Sequence, residues 1–193
     1  LVPYNWFIAA RNRYDNQSPS NLDIPRRWGV DVGDGIDSHA IACFRGDTLV
    51  SCMEVASKGD GKDTDRLADL VMKMAKKGER IAVDVTGVGT GVASKLLTHN
   101  YACQRVHFGS GAKDKAQFAN WVSEVAWSFR EAMRQELIAI EPLGKWEKPL
   151  FREFDATQYL ELGSGKTALE SKDETKKRIK GRSPNLRDAV LLA

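Results

Sequence analysis

The sequence is poor in residues that staple a fold or bind soft metals. It has three cysteines in 193 residues, Cys43, Cys52 and Cys103. None is spaced as C-x-x-C and one is left over from any pairing, which argues against a zinc site or a disulfide framework and points to a reducing compartment. Histidine is equally scarce: His39, His99 and His107 lie far apart without metal-ligand spacing and are read as surface or edge residues. No stretch approaches the ~18 continuous apolar residues of a membrane span, and no basic-then-apolar leader opens the chain. A dominant charge is also missing. The 29 Lys and Arg against 26 Asp and Glu leave a net charge of +3, so any nucleic-acid partner must be argued from where the charges lie. Phosphate-loop signatures are incomplete. Ser38 and Val92 stand where the last glycine of G-x-G-x-x-G would fall, and Leu160 stands where a Walker A loop in LELGSGKT needs its first glycine.

What is present is a chain 42% hydrophobic, long enough for one domain with a sizeable core. Residues 1–27 read as a connector: LVPYNWFIAARNRY has helical spacing, and the following DNQSPSNLDIPRR is polar and aperiodic. The domain proper is expected over 28–193. WGVDV, HAIACF and TLVSCMEV are strand candidates, with Arg45-Gly46-Asp47 turning the second into an antiparallel third. Leu67, Leu70, Val71 and Met74 mark a helix that stops at Gly78, and RIAVDVTG follows as a strand buried on both faces. A helix over 91–99, a short strand at 105–108 and a long helix carrying Phe118, Trp121, Val122, Val125, Phe129 and Met133 come next. A helix near 150–158, a hairpin turning at Gly163-Ser164-Gly165 and a last helix after Ser183-Pro184 complete the chain. This order predicts an α/β fold, a mixed sheet with helices on both faces.

Three aspartates carry the chemistry: Asp31 in WGVDVGDG, Asp84 in RIAVDVTG and Asp188 in SPNLRDAV. If the strands bearing Asp31 and Asp84 are neighbours, the final helix can bring Asp188 to the same edge. Carboxylates so close repel one another, and an all-oxygen cluster suits hard divalent ions such as Mg²⁺ or Mn²⁺. Two such ions ~3.5–4 Å apart can clamp both ends of a phosphodiester displacement, one between Asp31 and Asp84 and one near Asp31 and Asp188. Taken singly, each aspartate reads as a turn former, a cap or a solvated helix residue. The glycines beside them (Gly33, Gly35, Gly87, Gly89, Gly91) leave backbone bare for a phosphate chain, or simply make turns. From Lys172 to Arg187 seven basic residues stand against two acidic ones, a phosphate-contacting surface that includes Lys176, Lys177, Arg178, Lys180 and Arg182.

These motifs resemble those of the nuclease domain of tailed-phage large terminase subunits. WGVDVGDGIDSHAI is similar to that family's first catalytic strand, IAVDVTGVGTGVASKL to its second and ESKDETKKRIKGRSPNLRDAVLLA to its closing segment. FANWVSEVAWSFREAM resembles its middle helix and LVPYNWFIAARNRY the linker leaving a preceding ATPase domain. The resemblance implies an RNase H-like endonuclease that cuts concatemeric viral DNA during packaging, in the host cytoplasm. It puts Asp31, Asp84 and Asp188 on the metal-binding acids, Lys172 on a basic residue of the closing motif and Asp37 on a further acidic position. Asn185 departs from the acid common before the motif's leucine. Implied partners are double-stranded DNA, the ATPase motor, the portal and the small terminase subunit, with the isolated domain a monomer. Because GVDVGDG also resembles the first phosphate loop of actin-like ATPases, half of such an enzyme is an alternative, as is a metal-free DNA-binding module of the same fold.

Overall fold

The computed structural model describes residues 1–16, 23–35, 37–61 and 63–193. Helix α1 (Tyr4–Asn16) is followed by three antiparallel strands, β1 (Arg26–Asp31), β2 (His39–Arg45) and β3 (Thr48–Val55). Gly46, at φ +56°, makes the predicted turn between β2 and β3. Helix α2 (Asp63–Met74), β4 (Arg80–Asp84), α3 (Gly89–Thr98) and β5 (Ala102–Val106) then form two crossovers that leave β4 parallel to both β1 and β5. After α4 (Trp121–Arg134), β6 (Ala139–Ile140) adds to β3 in parallel, giving the order β5-β4-β1-β2-β3-β6. Helix α5 (Glu147–Ala156), the hairpin β7 (Tyr159–Glu161) and β8 (Thr167–Leu169), α6 (Lys172–Arg178) and α7 (Asn185–Leu192) follow.

Alternation along β2 splits the interior in two. Ala40, Ala42 and Phe44 face a core shared with α1, α4, α5 and α7, whereas Ile41 and Cys43 face a second core under α2 and α3. The mixed sheet therefore has helices on both faces, as the element order predicts. The three cysteines are free thiols.

Several boundaries differ from the sequence reading. The first helix is built into the core, with Phe7 stacked on Phe151 at 4.4 Å and Ala10 fully buried, although its sequence reads as a connector. The middle of that connector, 17–22, lies outside the described residues. Phe118 is buried but precedes α4, because Asn120 caps the helix by accepting a hydrogen bond from the Ser123 amide. The strand expected at 105–108 starts three residues earlier and ends two earlier, at Ala102–Val106. His39 is not a surface residue. It is 3% exposed where β2 begins, and among the described residues neither ring nitrogen has a hydrogen-bond partner.

Candidate active site

The site is built at the carboxyl ends of two adjacent parallel strands. Asp31 is the last residue of β1 and Asp84 the last of β4, so the pairing of Val30 with Val83 sets the two aspartates side by side. Helix α7 supplies Asp188, and it can do so because of Gly29. A Cβ there would stand 2.0 Å from the Ala189 carbonyl oxygen and 2.5 Å from the Ala193 nitrogen, so only glycine lets α7 lie directly on β1. Asn185 ties the start of α7 to the β1–β2 loop by donating to the Ser38 carbonyl at 2.6 Å.

All three aspartates are withdrawn from water: Asp31 is 2%, Asp84 7% and Asp188 1% exposed. For Asp188 this overturns the solvated-helix alternative, since every residue of α7 is buried. Asp84 Oδ1 accepts a hydrogen bond from the Thr86 amide at 2.9 Å. Lys172, the first residue of α6, puts Nζ 2.6 Å from Asp188 Oδ2 and 3.6 Å from Asp31 Oδ1. The Arg187 guanidinium closes on Asp188 Oδ1 through Nη2 at 2.6 Å and Nε at 2.8 Å.

These neighbours act differently on the acids. Burial pushes the Asp31 carboxyl upward to about 7; Lys172 opposes the rise, and the charges of Asp188 and Asp84 add to it. Burial also acts to raise Asp188, but Arg187 and Lys172 outweigh it and hold that carboxyl below its ordinary range. Lys172, although desolvated, is kept protonated above the usual lysine range by Asp188 and Asp31.

Among the described residues, no three acidic, histidine or cysteine side chains are gathered closely enough to hold a metal ion as they stand, and the Lys172 ammonium pairs with both Asp31 and Asp188. The donor set nevertheless fits a hard divalent cation. It is all oxygen, the charges of Asp188 and Asp84 add to the cost of charging Asp31, and Asp188 Oδ2 faces the Lys172 ammonium at 2.6 Å. Asp31, Asp84 and Asp188 are the residues that could hold such an ion, with the ammonium marking where positive charge is wanted.

The remaining predicted residues scatter. Asp37, about half exposed, faces Lys176 at 3.7 Å and not the aspartate cluster. Of the basic run, Lys177 pairs with Glu174, Arg178 with Glu170 and Arg182 with Glu54. Lys180 is exposed at the end of α6 with φ +61°. Arg187, counted in the sequence as part of that basic surface, is 1% exposed and faces inward. The glycines also divide. A Cβ on Gly89 would stand 1.8 Å from the Asp84 carbonyl oxygen and one on Gly33 2.5 Å from Asp37 and Ser38, so the chain itself fills the space expected for phosphate. Sequence reasoning missed the half-buried pair Phe108 and Trp121, stacked at 5.9 Å with Lys172 Nζ 5.8 Å from the Phe108 centroid. Trp121 reads as one more residue of the α4 stripe and Phe108 as the end of a strand, and no spacing in the sequence signals that the two rings meet.

The six-stranded mixed sheet of order β5-β4-β1-β2-β3-β6, with helices on both faces, is an RNase H-like α/β fold. Among solved structures the chain is similar to the nuclease domain of the large terminase subunit gp2 of bacterial virus Sf6, with TM-score 0.83 and 17% identity over 98% of this chain and 96% of that one. It is also similar to the large terminase nuclease from thermophilic phage G20c with bound magnesium (TM-score 0.61, 16% identity, 90% and 82% covered). The Thermus phage P74-26 large terminase nuclease domain superposes with TM-score 0.58 at 13% identity, covering 91% and 81%. No protein-family model and no curated protein matches the chain. At these identities the likeness is one of fold.

Proposed function

We propose that the chain is a divalent-metal-dependent DNA endonuclease of the terminase type. The observation that carries the reading is the buried trio Asp31, Asp84 and Asp188, in which burial and the other two acids together make the Asp31 charge costly. Solved neighbours of the same fold are named as nucleases, and variants of the Sf6 domain were solved with manganese or calcium. A bound Mg²⁺ or Mn²⁺ pair would supply Lewis acidity at the attacking and leaving oxygens of the phosphodiester. The chain's own part is positional. Asp31 and Asp84 offer oxygens from adjacent strands, Asp188 closes the third side from α7, and Lys172 neutralises the cluster. The substrate is double-stranded DNA, held through its backbone by Lys176, Lys177, Arg178, Lys180 and Arg182 without reading sequence. Asp37 anchors Lys176 within that surface.

In the whole protein we assign the nuclease to residues 28–193 together with helix α1, which packs on Phe151 in the same core, and we assign the cutting of concatemeric DNA during packaging to an assembly with an ATPase motor, portal and small subunit. The test is plasmid nicking in Mg²⁺ and in Mn²⁺. Wild type is expected to nick, and Asp84→Asn to fold and not nick. Equal nicking by the two proteins would discard the reading.

A further inference from the structure

Among the described residues Arg187 has the largest fully buried side chain, at 1% exposure. Adjacent residues on a helix do not ordinarily meet. Arg187 nevertheless folds back on Asp188, placing both Nε and Nη2 on the same oxygen, Oδ1. Its third contact, Nη1 to Thr157 Oγ1 at 2.9 Å, fastens the guanidinium to the end of α5, where Thr157 in turn donates to the Glu153 carbonyl at 2.7 Å. The backbone of Arg187 is fixed as well, its amide donating to Glu153 Oε2 at 2.9 Å.

The consequence is an asymmetric carboxylate. Oδ1 is saturated by two charge-assisted bonds from a side chain that cannot lose its proton, and Oδ2 is the oxygen left toward Lys172 and Asp31. We propose that Arg187, braced by Thr157, is a positioning residue that orders Asp188 so that Oδ2 alone is presented to a divalent cation. This rests on the nuclease reading. It assigns the buried arginine to orientation of a ligand, not to contact with DNA. It also accounts for a positive charge beside a cation site: the guanidinium consumes one oxygen and fixes the direction of the other.

The experiment compares wild type, Arg187→Lys and Thr157→Val by calorimetric titration with Mn²⁺, by nicking at saturating Mn²⁺ and by melting. Lysine keeps the charge but cannot reach Oδ1 with two donors while holding Thr157. Outer partners of metal ligands typically matter by about 10–100-fold in affinity or activity. We expect Arg187→Lys to bind Mn²⁺ about tenfold more weakly and to stay slower than wild type at saturating metal. Thr157→Val is expected to lose affinity about threefold. A drop in melting temperature with unchanged Mn²⁺ affinity and rate overturns the role. If Arg187→Lys does not fold, wild-type affinity in Thr157→Val overturns it. A wild type that takes up no Mn²⁺ instead defeats the nuclease reading and this role with it, whereas a binding wild type matched by Arg187→Lys defeats the role alone.

Discussion

The two ends of the β1–β4 strand pair both bury carboxylates beside cations, and they do so to opposite effect. At the Arg26 end, Glu79 accepts from Arg26 Nε at 2.9 Å, from Trp28 Nε1 at 2.8 Å and from the Lys76 amide at 2.9 Å. Burial acts to raise its carboxyl, but those three donors prevail and hold it below the ordinary range. At the Asp31 end, three carboxylates share Lys172 and Arg187, and Asp31 is pushed upward. A satisfied carboxylate stabilises a fold, whereas an under-neutralised cluster is stable only with added positive charge. On the nuclease reading, the contrast separates a structural ion pair from the proposed metal site.

The largest effect that would break this contrast is on chemistry. Asp31→Asn or Asp84→Asn should reduce plasmid nicking by about 10²–10³-fold, the scale on which charge-stabilising groups act, while Glu79→Gln should leave nicking measurable. Gly29→Val comes next. Its side chain would collide with the Ala189 carbonyl and the α7 backbone, so α7 must shift, costing about 1–3 kcal/mol by denaturant melting and displacing Asp188. Stability should then divide the two ends. Without metal, Glu79→Ala should destabilise by about 1–3 kcal/mol, because Trp28 Nε1 loses its acceptor, and Asp31→Asn should raise the melting temperature.

The pH dependence sharpens the same division. Glu79, depressed in the fold, contributes stability present above the ordinary carboxylate value of 4.5 and lost as pH falls through its folded value. Asp31 has the opposite sign: its raised carboxyl favours the folded state below 3.8, and that contribution is lost as pH rises toward about 7. Metal-free melting of Asp31→Asn between pH 4 and 8 should therefore lack a decline present in wild type. The smallest effect is expected at Lys180, whose change to Ala should weaken DNA binding about twofold and lower its salt dependence slightly. Filter binding at several salt concentrations checks it.

Much of the frame was legible because its signals are periodic. Alternation in HAIACF, the helical spacing of Leu67 and Val71, and Gly46 at the turn follow directly from pleat, helix pitch and permitted φ. The three aspartates were legible as a set because strand ends in a parallel pair converge and the last helix must cover them. What was not legible depends on contacts between neighbours that have no period. Arg187 looks like one more basic residue of a solvent-facing run, and only the fold shows it turned onto Asp188. Glycines 33 and 89 look available to a ligand until the carbonyls of residues 37 and 84 are seen against them. The first helix, with two fully buried side chains, carries too weak a stripe to distinguish core from connector.

The most direct test is melting of the metal-free protein at pH 8, followed by addition of Mn²⁺, for wild type and Asp31→Asn. The expected result is a variant that melts higher than wild type without metal and gains little from Mn²⁺, beside a wild type that gains several degrees. A wild type indifferent to Mn²⁺, or an Asp31→Asn protein that gains as much as it does, would contradict a carboxylate cluster held in deficit for a divalent ion.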